Sequence, residues 1–304
     1  MDTEKCKALL TAVHTGNLTE AARKLGYTPS GMSRMMDALE QETGFPLLYR
    51  SRSGVSPTAE CDRLLPLIEE LSRLGDLYKE NAEAIQGLDV GDVRIGTAYP
   101  TYYSMIGKIA AEFSEKHPKI RIEIEEDYSS SLVQGVEEHR LDFCVISRRD
   151  GNFEWIPLPK DHMVAWVPAS FPLSEGDRFP IKWFEKEPCI ELSHSQDTDN
   201  ARAFRACRIT PNYTKTAMNA YSAAAMVEAG LGVTMSNALF TDTAGRSGVK
   251  VLRLDPEPEV DIGIAIAPKD QLSPSALKFR EFTVRCMKEH AEWFRPKEST
   301  SARK

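Results

Sequence analysis

Apolar positions recur at helical spacing through the first 45 residues. Cys6, Leu9, Leu10 and Val13 share one face of a helix predicted over 3–15, which "TGN" at 15–17 breaks. Thr19 is placed to cap a short helix, "EAARKLG", closed by Gly26. Thr28 is an N-cap type and Pro29 suits the first helical position, so a third helix is predicted to run to about Thr43 and stop at Gly44. Its apolar stripe is Met32, Met36 and Leu39. Three short helices with tight turns form the helix-turn-helix pattern. "YRSRSGVSPT" at 49–58 reads as a small hairpin. A long helix is predicted from Thr58 to about Gln86, where Leu64, Leu67, Leu71, Leu74 and Tyr78 are spaced 3-4-3-4 and Ile85 follows a heptad after Tyr78. That is the seam of a two-stranded coiled coil, so the segment is read as a dimerising linker. Pro66 lies inside it and is expected to kink the helix or delay its start.

After Gly91 the pattern changes to strands alternating with helices. "DVRIG", "IRIEIE" and "LDFCVIS" read as strands, separated by helices over 104–117 and "SLVQGVEEHR". A second set spans 163–254: "HMVAWVP", "CIEL", "YTKTAM", a helix at 222–229, "GVTM" and "VKVLRL". "VDIGIAIA" adds a strand and a C-terminal helix covers about 274–294. This alternation predicts α/β structure with a parallel sheet. The expected organisation is a helical module with a hairpin at 1–58, a linker helix at 59–88, and an α/β domain at 91–295. A disordered tail is expected at 296–304.

The 304 residues are 41% hydrophobic and 27% charged, which suits a globular protein of two or three compact units. No apolar run reaches the ~20 residues of a membrane span, and the charged start "MDTEKCKALL" does not read as a signal peptide, so no membrane partner and a cytoplasmic location are expected. Six cysteines without close pairing read as buried free thiols. A net charge of −7 argues against a protein that coats nucleic acid over its whole surface. A DNA-binding face must therefore be local. Residues 23–52 carry Arg23, Lys24, Arg34, Arg50 and Arg52 against Asp37, Glu40 and Glu42, a net +2 that suits a reader of specific sites.

The third helix opens with Pro29, Ser30, Gly31 and Ser33, a first turn trimmed of bulk. A helix that enters the major groove does so by its N-terminal end, where small residues let the backbone approach and Ser or Arg can hydrogen-bond base edges or phosphates. Candidate DNA-binding residues are Thr28, Pro29, Ser30, Ser33 and Arg34 on this helix, with Arg50 and Arg52 on the hairpin placed as a wing that grips phosphate.

The run "LLTAVHTGNLTEAARKLGYTPSGMSRMMDALEQETGFPLLYRSRSGVSPT" resembles the N-terminal domain of LysR-type transcriptional regulators. The match is continuous over about 60 residues and includes Ala21-Ala22, Ser33, Leu39-Glu40 and Arg50. "GDVRIG", "FSEKHPKIRIEI" and "MVEAGLGVTM" extend it more loosely. Pro29 stands where the family commonly has Gln, Leu48 where it has Phe, and Cys61 where it has Gly. The resemblance implies an all-α winged helix-turn-helix DNA-binding domain at 1–58, a long linker helix and a two-lobed α/β effector domain like type 2 periplasmic binding proteins, one lobe comprising 91–160 and 265–295 and the other 161–264. It also implies a homodimer or homotetramer on double-stranded DNA, with a small-molecule effector between the lobes.

Ligands in open α/β sheets collect at carboxyl ends of strands and at helix N-termini. On that rule the candidate effector-binding residues are Thr97, Tyr99, Thr101, Ser129, Ser147, Arg148, Asn219 and Ser222, with Arg148 as counter-charge to an anionic or polar effector. The same Ser, Thr and Asn residues also suit plain helix caps. An enzyme is the first rival, but G-x-S-x-G, P-loop and H-E-x-x-H motifs are missing from the sequence, so no catalytic residues or cofactors are expected. His194, Asp197 and Asp199 in "HSQDTD" could be metal ligands, yet read better as a solvated loop, and no metal is expected. A redox sensor using Cys189 and Cys207 is the second rival.

Overall fold

The computed structural model describes residues 2–51, 53–174, 176–193, 196–244 and 248–294. The expected tail at 296–304, Arg52 and His194 lie outside them. The chain divides into two compact units, Met1–Leu88 and Asp89–Lys304.

In the first unit, α1 (Thr3–Thr15) is capped by Asp2 and stopped by Gly16 in the left-handed conformation. α2 (Leu18–Leu25) starts at Asn17, whose side chain accepts from the amides of Thr19 and Glu20. Thr19 is therefore inside the helix and Asn17, the stronger cap, takes its place. α3 (Pro29–Thr43) follows Thr28, which accepts from the Gly31 amide. Met32, Met36 and Leu39 are fully buried with Leu9, Ala12, Ala21 and Ala22. Each large apolar side chain sealed there contributes about 2 kcal/mol. The alanines let α2 approach its neighbours closely. The wing is the antiparallel pair β1 (Leu48–Ser51) and β2 (Gly54–Pro57). Gly54 holds φ 135°, and a Cβ there would lie 2.2 Å from the Gly16 carbonyl oxygen. The Val55 amide donates to that same oxygen (2.8 Å), pinning the wing to the α1–α2 turn.

α4 (Ala59–Ile85) begins after the Thr58 cap and runs through Pro66, so the proline does not delay its start. Cys61, Ile68 and Ser72 are buried. Gly75 sits so close to Thr3 that a Cβ would approach its Cγ2 to 2.6 Å. The other face is bare: Leu67 is 63% exposed, Tyr78 76% and Ile85 88%, with Leu71 and Leu74 also exposed.

The second unit has two lobes. The first lobe holds β3 (Gly91–Thr97), α5 (Tyr103–Lys116), β4 (Ile120–Glu126), α6 (Ser129–Glu137), β5 (Phe143–Ser147) and β6 (Glu154–Pro157). The second holds β7 (Asp161–Pro168), β8 (Arg178–Pro180), β9 (Cys189–Leu192), α7 (Asp199–Cys207), β10 (Tyr213–Ala217), α8 (Ala220–Glu228), β11 (Thr234–Asn237), α9 (Thr241–Ala244), β12 (Val249–Asp255) and β13 (Glu259–Val260). β14 (Ile262–Ile266) and α10 (Pro274–Glu289) return to the first lobe.

Besides the parallel pair β9–β10, the unit has two five-stranded sheets, and both are mixed rather than parallel. In the first, of order β4-β3-β5-β14-β6, β3 is parallel to β4 and β5, but β14 runs antiparallel to β5 and β6. The return strand must be antiparallel because the chain re-enters from the other lobe without a crossover helix. It pairs from Ile262, with Ile262 opposite Ser147, so the return falls a few residues before the expected 265. The second sheet, β11-β7-β12-β8, is antiparallel around β7. The chain crosses between the lobes at 158–161 and 260–262, and the ends of β3 and β5 meet the start of α7 through the bonds of Tyr99 and Ser147 to Asp199.

Candidate functional site

On the first unit the exposed residues of α3 gather at its entrance. Thr28, Pro29, Ser30 and Arg34 are exposed and Ser33 is half-buried, while the buried methionines hold the opposite face. Thr28 Oγ1 also lies 3.2 Å from Ser30 Oγ. This turn offers hydroxyls, a thin backbone and one guanidinium.

Arg50 is not an open phosphate grip. It lies on β1 with its guanidinium turned onto α3, where Nη2 donates to Asp37 Oδ1 (2.6 Å) and Glu40 Oε2 (3.3 Å), and Nη1 to Ser33 Oγ (3.3 Å). Glu40 Oε1 accepts from the amides of Leu47 (2.8 Å) and Leu48 (3.1 Å). Glu40, counted among the local acids and part of the Leu39-Glu40 pair of the resemblance, ties the wing to the helix. Nothing local in the sequence signals that role, because it arises only once the fold brings the Leu47 and Leu48 amides to the last turns of α3.

In the second unit, three of the expected residues meet between the lobes. Tyr99 is buried and donates through its hydroxyl to Asp199 Oδ2. Ser147 Oγ donates to Asp199 Oδ1 (2.6 Å), and Ser129 Oγ lies 3.2 Å from Ser147 Oγ and accepts from the Ser147 amide (3.2 Å). Burial raises the Tyr99 hydroxyl well above the ordinary phenol range, and the Asp199 charge adds to this, so it stays a donor. The Tyr99 ring stacks on Phe240, centroids 6.1 Å apart.

The other expected residues are engaged elsewhere. Thr97 is buried, its hydroxyl bonded to the backbone of Tyr99. Thr101 is exposed on a 3-10 turn. Asn219 and Ser222 close a capping box on α8. Arg148 is exposed over Trp155, 4.8 Å from its ring centre, so it is not the counter-charge at this cluster.

That place belongs to Arg149, whose side chain is 9% exposed. Its Nη1 donates to Ser147 Oγ (2.6 Å), and its Nη2 to the Asp197 carbonyl (3.0 Å) and Asp199 Oδ1 (3.3 Å). Asn237 Nδ2 donates to Asp199 Oδ2 (3.2 Å). Arg149 and Asn237 are not among the expected site residues, and Asp199, weighed only as a metal ligand, is expected in a solvated loop. Alternation could have found the first: past the end of β5, residues 147 and 149 share a side and 148 faces away. Thr198-Asp199 is a cap followed by an acid at the first helical position, a helix start hidden inside "HSQDTD".

These contacts commit Asp197 and Asp199 to arginines, Asp197 pairing with Arg205 as well. Among the described residues, no group of three or more His, Cys, Asp or Glu side chains is gathered for a metal. Burial pushes the Cys189 thiol up to about 12, so its thiolate is scarce at neutral pH and it makes a poor peroxide sensor.

Comparisons with known proteins give the family. Residues 3–62 match the family model for the bacterial regulatory helix-turn-helix protein of the lysR family. Residues 86–287 match the LysR substrate binding domain. An uncharacterized HTH-type transcriptional regulator of Bacillus subtilis, YvbU, is 24% identical over 283 residues, covering 92% of this chain and 97% of the relative. The HTH-type transcriptional regulator TtuA of Agrobacterium vitis is 27% identical over 244 residues, covering 76% of this chain and 79% of the relative. Two solved structures share the fold. Full-length OxyR from Pseudomonas aeruginosa has a TM-score of 0.69 at 16% identity, covering 97% of each chain. Full-length CbnR complexed with its target DNA has 0.63 at 18%, covering 94% of this chain and 99% of that one. LysR regulators bind DNA and small-molecule effectors and form oligomers, and they are regulators rather than enzymes. The chain belongs to the LysR family, as a DNA-binding transcriptional regulator with a helix-turn-helix module and an effector-binding domain.

Proposed function

We propose that the chain works in the cytoplasm as a homodimer or homotetramer, with α3 entering the major groove by its first turn. Thr28, Pro29, Ser30, Ser33 and Arg34 then face the DNA. The observation that carries this reading is the contrast along α3: Met32, Met36 and Leu39 are sealed in the core while the entrance and Arg34 are exposed. Arg50 acts through position. It donates to Ser33 Oγ and so leaves the Ser33 hydroxyl proton for a base or phosphate acceptor. Two modules joined along the bare stripe of α4 would read half-sites about one helical turn (~34 Å) or a multiple apart. The effector is placed between the lobes, at the polar cluster of Tyr99, Ser129 and Ser147.

Recovery of sheared native DNA by the purified protein tests the DNA side. A few enriched fragments with a dyad-symmetric site are expected. Arg34→Ala should lower affinity for those sites by roughly tenfold or more, as loss of a base or phosphate contact of about 1–3 kcal/mol would. Uniform weak recovery with native and substituted protein alike would refute the reading. For the effector side, compounds that raise the melting temperature should protect the amides around Tyr99, Ser129 and Ser147 from hydrogen exchange. Protection confined to other segments would overturn that placement.

A further inference from the structure

The cluster between the lobes already holds a carboxylate. Asp199, from the first turn of α7, reaches the first lobe and is met by four donors: Tyr99 Oη and Asn237 Nδ2 on Oδ2, Ser147 Oγ and Arg149 Nη2 on Oδ1. Its side chain is 11% exposed. Each carboxylate oxygen offers about two lone-pair directions, so four donors saturate the group. An incoming ammonium would find no acceptor on Asp199. An incoming anion would find Tyr99 Oη, Ser147 Oγ and Arg149 Nη2 already donating unless Asp199 left. The three donors from the first lobe form a cradle for two oxygens in a plane, with Arg149 and Ser147 on one side and Tyr99 on the other. A planar carboxylate fits that pattern.

We infer that Asp199 is a tethered stand-in for the carboxylate of a small effector, which binds by displacing it from Tyr99, Ser147 and Arg149. This rests on the reading that the effector sits between the lobes. Asp199 is needed when the effector is absent because a guanidinium as buried as Arg149 is costly to leave without a partner. Exchange keeps that charge paired throughout, so the swap replaces one set of charge-assisted bonds by another. One donor stays in reserve. Arg149 Nε is buried without a hydrogen-bond partner, 3.8 Å from Asp197 Oδ2, and a free carboxylate, unconstrained by α7, can take it where Asp199 does not. Displacement also loosens the start of α7 from the first lobe, since Asp199 reaches both Tyr99 and Arg149, and the bond of Arg149 to the Asp197 carbonyl is left. An effector carboxylate thereby shifts the tie between the lobes, which is a physical means of signalling occupancy.

The test is chemical rescue in the full-length protein. Asp199→Ala removes the tethered group and leaves its cradle. Sodium formate and sodium acetate are titrated at constant ionic strength against sodium chloride, with methylammonium chloride as the cation control. Asp199→Ala should melt below the native protein and recover saturably with either carboxylate. The rise should be about 3–6 °C at ten times the half-saturating concentration. The native protein, its cradle filled, should not respond to the same small acids. Asp199→Ser carries the same test with formate if the alanine variant is insoluble. The inference is overturned if carboxylates act on both variants no differently from chloride, or if methylammonium produces the rise. Such a result would leave the placement of the effector to the hydrogen-exchange test above, which does not involve Asp199 substitution.

Discussion

Replacing Glu40 with alanine removes the acceptor that joins the wing to α3. Its Oε1 accepts from the Leu47 amide at 2.8 Å and the Leu48 amide at 3.1 Å, and Oε2 from Arg50 at 3.3 Å. Leu47 and Leu48 are buried, so their amides gain little from water in exchange. A hydrogen bond to a charged group contributes about 1.5–3 kcal/mol when shielded. Glu40 is 20% exposed, so the lower figure applies, and two such bonds give a loss of about 3 kcal/mol. Glutamine at the same place keeps one acceptor oxygen and should cost about 1 kcal/mol. Hydrogen exchange in the full chain reads the effect at the amides themselves. With about 1.4 kcal/mol per tenfold change, protection at Leu47 and Leu48 should fall by roughly a hundredfold in Glu40→Ala and several-fold in Glu40→Gln. Protection in α5, which belongs to the other compact unit, should change less. Equal protection at Leu47 and Leu48 in all three proteins would refute the tie.

Leu71→Lys places a charge on the bare stripe of α4 while leaving the buried face, with Ile68 and Ser72, untouched; sedimentation should show smaller assemblies at equal concentration, and unchanged mass would refute the seam. Arg280 holds the Glu154 carboxyl below the ordinary value near 4.5, against the opposing push of burial, through bonds of 2.9 and 2.5 Å. A depressed carboxylate stabilises the fold above its unfolded pKa and loses that contribution as pH falls through the folded value. The melting temperature of Glu154→Gln should therefore lie below native at neutral pH and converge with it as pH drops below about 4.5; a constant gap would contradict the ion pair's role. Peroxide should leave DNA binding unchanged, because burial keeps Cys189 protonated, with Cys207, the only half-buried thiol of the six, alkylated first; thiol-reversible loss of binding would revive the redox reading.

The first unit was legible in the sequence almost throughout, because its helices are local: caps, stops and 3.6-residue periodicity lie within a few positions of one another. Asn17 and Thr19 show the limit, two cap-type residues where only backbone geometry decides which one starts α2. The mixed sheet was not legible. β14 alternates no differently from a parallel strand, and its direction is set by the chain's return from the other lobe, a long-range fact. The cleft was half legible. Tyr99, Ser129 and Ser147 follow from strand ends and helix starts. Arg148 was chosen where Arg149 serves because the alternation of β5 was not carried past its end. Asp199 escaped because a polar run reads as a loop until something shows what its acids meet.

The central claim, a DNA-reading module governed by an effector cleft, is met most directly by a footprint of the full chain on a genomic fragment it selects, taken with and without a compound that protects the amides around Tyr99 and Ser147. Two protected half-sites spaced by whole helical turns are expected, and their extent or affinity should change when the compound is added. Protection without a dyad, or a footprint indifferent to the compound, would contradict it.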